Sequence, residues 1–385
     1  MKRVSNLYEK INDIDIIIDM YDNVVSKNTK NKEKINKFND YYSINIVNIK
    51  NIINSGNYIP FKYNIFLVRE PKVRIIMSQN ITDKLINHLV AKYFLIDVFD
   101  KSLIDSNIAT RKNKGTHYGI KLTKKYLNEM KIKYDNFYYL KFDISKYFYN
   151  IDHEVVKNII KMKIKDKKVI NIINNIIDST NSEYVNYEIN KLKICEIDRI
   201  NKLNISEYEK KIKIKEINNI PYYKNGKGLP IGNMTSQILA VTYLNELDHF
   251  IKEKLKIKYY IRYMDDGILI HNNKEYLKYC LKEIEKILDL YKLKLNNKKT
   301  MVNSIKNGID FLGFRFYVKD KKIILKVRND CKKRFKKKMK KFNHDIYQSY
   351  IGHLKWGDCN SLIHSVDREI SEERFFYLWC KFYMN

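Results

Sequence analysis

Apolar and polar positions along the chain follow two periods, and the change from one to the other marks its elements. From Ile59 to Ser78 apolar and basic residues alternate around Glu70-Pro71, the period-two pattern of a β-hairpin. Residues 80–131 read as helical with an interruption at Gly115, and the run "YYLKFDI" from Tyr138 to Ile144 predicts a short strand ending in Asp143. Residues 152–180 predict one amphipathic helix, and residues 181–225, polar and rich in Lys, Asn and Glu, read as an insertion. A helix is expected over Ser236–Leu255, then strands Tyr259–Arg262 and Gly267–His271 on either side of Met264-Asp265-Asp266, then a helix over Lys274–Tyr291. Phe311–Val318 and Lys322–Val327 predict a hairpin, Cys331–Phe342 a basic helix, and residues 1–58 a polar helical start. Only 11 Gly and 4 Pro punctuate the chain, which fits many helices and few tight turns in an α+β fold.

Three carboxylates stand out against this pattern. Asp143 ends an apolar strand, and Asp265-Asp266 lies between the apolar runs "YYIRYM" and "GILI". Adjacent carboxylates repel, and each costs several kcal/mol if buried without counter-charge, so packing does not explain them. An exposed turn is the structural alternative, since Asp is common there. Phosphoryl transfer to a 3′-hydroxyl uses two divalent ions about 4 Å apart, and the least protein that holds them is two or three hard carboxylates meeting at one point. The expectation is that Asp143 meets the later pair in the folded chain.

Composition narrows the partner. The 385 residues carry 74 Lys+Arg against 44 Asp+Glu, a formal charge of +30 that suits a polyanion. Part of the lysine excess reflects a bias toward Lys, Asn and Ile visible in Lys27–Phe38. The 31 Tyr and 17 Phe supply apolar mass and flat faces for bases. No apolar run approaches the roughly 20 residues of a membrane span, and no signal-peptide core follows Met1, so a cytoplasmic location is expected. The cysteines (Cys195, Cys280, Cys331, Cys359, Cys380) have no CxxC spacing, which argues against structural zinc and fits a reducing compartment.

In order along the chain, "FDISKYF" (142–148), "GLPIGNMTSQ" (228–237), "YMDD" (263–266) and "FLGF" (311–314) resemble the successive motifs of prokaryotic reverse transcriptases. The resemblance covers about residues 60–345 and is strongest to the enzymes of diversity-generating retroelements and defence-associated groups. It implies a right-hand polymerase fold: an N-terminal helical extension (1–58), fingers (59–135), a palm of split β-α-β type (136–318) with the insertion at 181–225, and a basic helical thumb and C-terminal region (319–385). The implied activity is RNA-directed DNA polymerisation with two Mg²⁺ ions, for which Mn²⁺ can substitute. The implied partners are an RNA template, a DNA product, dNTPs, a dedicated non-coding RNA and an accessory protein.

Residue by residue, the resemblance gives Asp143, Asp265 and Asp266 as catalytic metal ligands, with Ile144 also a metal position. Arg69 and Arg74 would grip the triphosphate, for which the planar guanidinium fork is suited; Lys72 between them is equally well read as solvated. Phe148 would exclude a ribose 2′-hydroxyl, although with Tyr147 and Tyr149 beside it a core role is the rival. Ile231 and Gln237 stand where most of the family carries Gln and Pro, and Gly232 lets the backbone approach the nascent pair; loss of a polar side chain at Ile231 implies reduced fidelity. Thr235 and Ser236 are expected to cap the helix that follows. Lys298 or Lys299 would face the triphosphate or the leaving pyrophosphate, with Lys298 assigned. Phe311 and Gly313 resemble the primer grip, and His117 lies in a segment resembling a template-side stretch. Lys332–Lys341 holds eight Lys or Arg in ten residues, so Lys332, Lys333, Arg334, Lys336 and Lys337 are candidates for a phosphate backbone. The alternatives are a catalytically inactive polymerase-like RNA-binding protein and a template-independent DNA polymerase.

Overall fold

The computed structural model describes residues 3–370 apart from 12, 320 and 321; Cys380 and the end of the expected C-terminal region lie outside the described residues. Chain packing separates two units. One takes in the described residues up to Arg111 with Ile144–Lys254 and Ile284–Leu295, and the other Lys112–Asp143, Leu255–Glu283 and the described residues from Asn296 onward. Among the described residues no helix is long and apolar enough to cross a membrane, and Cys195, Cys280, Cys331 and Cys359 are free. The strands in chain order are β1 (Asn64–Val68), β2 (Arg74–Ser78), β3 (Tyr138–Asp143), β4 (Tyr259–Tyr263), β5 (Asp266–His271), β6 (Met301–Ser304), β7 (Ile309–Phe311), β8 (Phe314–Lys319) and β9 (Lys322–Val327).

In the first unit β1 and β2 form the expected antiparallel hairpin, in register from Asn64↔Ser78 to Val68↔Arg74. Its inward residues Ile65, Ile75 and Met77 are buried against Val185, Ile189, Ile200, Ile217 and Tyr223. The segment read as a polar insertion is therefore two helices, Glu183–Asn201 and Glu207–Asn218, that complete the hairpin's core. The second helix starts from a capping box in which Ser206 Oγ accepts from Glu209 N and Glu209 returns to Ser206 N. One face of the first helix is buried at Val185, Ile189, Lys193, Glu196 and Ile200, so two charged residues sit in an otherwise apolar stripe. Lys193 Nζ donates to Ile220 O at 2.6 Å and lies 3.8 Å from the centre of the Tyr222 ring. The single helix expected over 152–180 is two, His153–Lys163 and Lys167–Asp178. Ile164 is drawn out between them because Val4 bridges it, with Val4 N on Lys163 O and Lys165 N on Val4 O, both 2.8 Å. The helix expected over Ser236–Leu255 starts at Met234 and breaks at Leu244, whose φ of −98° and ψ of 13° leave the helical range.

The second unit contains a four-stranded antiparallel sheet of order β4-β5-β3-β6 and a three-stranded sheet β7-β8-β9. The hairpin expected from Phe311 onward thus gains β7, and Leu312 and Gly313 turn the chain into β8 with φ of 51° and 86°. Alternation along β3 puts Leu140 and Phe142 on one face, where both are fully buried, and Tyr139, Lys141 and Asp143 on the other. The basic helix runs Asn329–Met339 and buries only Cys331, Phe335 and Met339, a stripe at i, i+4, i+8 that leaves most of its cations to solvent.

Candidate active site

The four-stranded sheet brings the expected carboxylates together. Asp143, last in β3, pairs across the ladder with Asp266, first in β5, and Asp266 also pairs with Tyr263 at the end of β4. Met264 and Asp265 are left as a two-residue turn. Met264 takes a φ of 55°, where such turns favour glycine, so the turn stores about 1–2 kcal/mol of strain. Arg262, fully buried, donates from Nη1 to Met264 O at 2.7 Å and braces this turn. Sequence reasoning missed Arg262; the signal was an arginine inside an apolar strand.

Like charges this close need compensation, and two lysines supply it. Lys299 Nζ lies 2.7 Å from Asp143 Oδ2 and 2.9 Å from Oδ1, and Asn296 Nδ2 donates to Oδ1 at 3.1 Å. Lys141 Nζ lies 3.2 Å from Asp266 Oδ2 and donates to Asp310 O at 2.6 Å, so it joins β7 to the carboxylate. Burial pushes the Asp266 carboxyl up to about 6, against the pull of Lys141 and with help from Asp143 and Asp265. The Asp266 side chain is 27% exposed overall, yet its Oδ1 is buried without a hydrogen-bond partner.

Among the described residues no three His, Cys, Asp or Glu side chains form a group that could hold a metal ion as they stand. Asp143 and Asp266 each meet an ammonium, from Lys299 and Lys141 respectively. The donor set still fits a hard divalent ion, since two facing carboxylates and the orphaned Asp266 Oδ1 present only oxygen.

A cavity of about 450 Å³ opens on this sheet, lined by His117, Lys141, Tyr263, Asp266, Gly313 and Arg328, with Phe311 also at its wall. The His117 ring lies 5.1 Å from that of Trp356. Both adjacent lysines are exposed, but Lys299 reaches Asp143, whereas the backbone N of Lys298 bonds Asn296 Oδ1. On the basic helix Lys333, Lys336 and Lys337 are exposed, Lys332 is half-buried, and Arg334 pairs with Asp330 at 3.1 Å.

In the first unit Arg69, Lys72, Arg74 and Ile231 line a second cavity of about 380 Å³ together with Tyr149. Arg69 makes a two-pronged pair with Glu196, at 2.9 and 2.7 Å. Ile231 O accepts from Met77 N at 2.8 Å, and Gly232 follows with a φ of 132°, so this loop runs along the hairpin edge. Thr235 and Ser236 lie inside the first helical turn rather than capping it. Asn233 holds the cap position, Thr235 Oγ1 contacts Asn87 Oδ1 at 2.6 Å, and Ser236 Oγ is buried without a partner. Gln237 is half-buried on that helix. Phe148 is half-buried edge-on to the buried Tyr147, whereas Tyr149 packs on Tyr223. Ile144 is buried and bridges Leu295.

The family described as "Reverse transcriptase (RNA-dependent DNA polymerase)" matches residues 68–316. The chain is 25% identical over 210 residues to the Group II intron-encoded protein LtrA of Lactococcus lactis subsp. cremoris, and equally to the protein of that name from strain MG1363. These alignments cover 54% of this chain and 28% of each relative, so the match spans little more than a quarter of the length of those proteins.

Proposed function

This chain belongs to the reverse transcriptase (RNA-dependent DNA polymerase) family, whose members are nucleotidyltransferases, and from that premise we propose that it extends a primer 3′ end with dNTPs on an RNA template. The observation that carries this reading is the register that sets Asp143 opposite Asp266, one residue from Asp265. In the proposed reaction the primer 3′-oxygen attacks the α-phosphorus of the dNTP and pyrophosphate leaves. Mg²⁺, when bound, would supply stabilisation of the attacking and leaving oxygens. Asp143, Asp265 and Asp266 would hold them, and Ile144, whose side chain has no donor, could offer only its carbonyl. Lys141 and Lys299 hold the carboxylates in place and balance their charge.

In the same reading Arg69 and Arg74, joined by Lys72, bind the triphosphate, and Phe148 selects a sugar without a 2′-hydroxyl. Ile231, Gly232 and Gln237 line the nascent pair. Lys299, rather than its neighbour Lys298, is favoured as the lysine at the reacting phosphates because it already reaches Asp143. Phe311 and Gly313 hold the primer end, and the Asn329–Met339 helix tracks a phosphate backbone with Lys332, Lys333, Lys336 and Lys337. The hairpin β1–β2 then corresponds to fingers, the four-stranded sheet to palm and the basic helix to thumb. The setting we favour is a prokaryotic retroelement or antiphage system with its own structured RNA.

The test is dNTP incorporation on an RNA template with Mg²⁺. Asp143→Asn, Asp265→Asn and Asp266→Asn should each abolish incorporation while circular dichroism and RNA binding stay near wild type. Sustained synthesis by these variants would overturn the assignment.

A further inference from the structure

We propose that Glu196, in the helix of the 181–225 segment, is a positioning residue that fixes the Arg69 guanidinium for the polyphosphate of an incoming nucleoside triphosphate. The proposal rests on the reading of Arg69 and Arg74 as triphosphate ligands, and adds to it a residue and a segment that reading does not contain.

The Glu196 side chain is only 6% exposed and is gripped from two sides. Arg69 meets it through Nε at 2.9 Å and Nη2 at 2.7 Å, and Arg199 through Nε at 2.9 Å and Nη2 at 2.5 Å. Four charge-assisted bonds fill the acceptor sites of one carboxylate. Arg199 first, and Arg69 with it, hold the Glu196 carboxyl down at about 2. The backbone beneath Glu196 is fixed as well, because Val185, Ile189 and Ile200 on the same helix face are packed into the core of hairpin β1–β2. Arg69 follows the end of β1 and its side chain is 54% exposed, so without an anchor it would sample many rotamers. Glu196 takes only two of the five guanidinium N–H donors and leaves three for a ligand.

Arg69 belongs to the wall of the 380 Å³ cavity, where Arg69, Lys72 and Arg74 come from the hairpin and Glu216, Asn219 and Pro221 from the segment. Three cations against one carboxylate suit a polyphosphate. An oxygen of that group can bind the free edge of Arg69 without breaking the pair to Glu196, so the carboxylate preorganises the cation and does not compete for it.

The experiment compares Glu196→Gln with the wild type in primer extension over a dNTP titration, and in equilibrium binding of inorganic tripolyphosphate. Glutamine keeps the shape but loses the charge and half of the acceptor fork. The KM for dNTP is expected to rise about tenfold with kcat within about twofold, tripolyphosphate affinity to fall in parallel, and Glu196→Asp to restore part of both. An unchanged KM overturns the proposal, and a lowered KM does so by showing that the carboxylate competes with the phosphates. Arg74→Gln separates this from the underlying reading: if it too leaves KM and tripolyphosphate binding unchanged, the hairpin does not bind the triphosphate at all. Should Glu196→Gln fail to fold, Arg69→Lys keeps the charge and removes the fork; it is expected to give the same KM rise, and an unchanged KM overturns the proposal.

Discussion

Gly267→Ala is the substitution for which the structure gives a definite sign. Gly267 faces Phe142 across the β3–β5 ladder, one residue from each of the paired aspartates. A Cβ there would lie 2.2, 2.4 and 2.9 Å from Cζ, Cε1 and Cε2 of that ring. Ordinary carbon contacts begin near ~3.5 Å, so the ring would have to retreat by about 1.3 Å or the strands spread. Phe142 is fully buried and stacked toward Tyr260, with ring centres 6.5 Å apart, and has little room to move. Overpacking of this kind costs about 1–3 kcal/mol. Without the clash, replacing a strand glycine by alanine would gain about 0.5–1 kcal/mol, so the two effects differ in sign. Urea unfolding should show the midpoint falling at unchanged slope, and dNTP incorporation should slow, since a shift of about 1 Å in positioned groups can cost on the order of 100-fold. Phe142→Leu in the same chain should recover part of both losses, giving a combined cost below the sum of the single ones. A Gly267→Ala protein as stable as the wild type or more so would refute the reasoning.

Two further outcomes are expected. Ile231→Gln should lower the misincorporation rate in primer extension on a defined RNA template, because it restores a hydrogen-bonding side chain next to Gly232; equal error rates would count against the fidelity argument. The Glu196 carboxyl is depressed in the folded protein from its ordinary 4.5 to about 2, so its contribution is complete above the unfolded value and is lost as pH falls toward the folded one. The stability difference between wild type and Glu196→Gln should therefore be flat from about pH 8 to about pH 5.5 and shrink between about pH 4.5 and about pH 2, as read by thermal melts across pH.

Much of the site was legible in the sequence because packing alone rarely sets a doublet of like charges between two alternating strands. Asp143, Asp265 and Asp266 could be read from flanking apolar runs, and the register makes Asp143 and Asp266 neighbours. The segment 181–225 was not legible for a specific reason. Its buried stripe carries Lys193 and Glu196 among Val185, Ile189 and Ile200, so a pattern of apolar positions breaks where the helix is in fact buried. Lys193 is satisfied by Ile220 O and Glu196 by Arg69 as well as by its near neighbour Arg199, and the two distant partners are not visible in any local pattern. Lys298 and Lys299 could not be separated either, since only the fold decides which of two consecutive side chains points at Asp143. There Asn296 N bonds Asp143 O at 2.7 Å and sets the turn so that Lys299 does.

Antiparallel pairing makes the placement of Asp143 opposite Asp266 inseparable from the burial of the residues around them. A slip of β3 by a single residue would turn Phe142 and Leu140 away from their core and thrust Asp143 into the apolar side of the sheet. Misthreaded chains would thus be penalised twice, by the lost packing of Phe142 and Leu140 and by a sunken anion. The same burial that favours this register thereby sets the two acidic groups side by side.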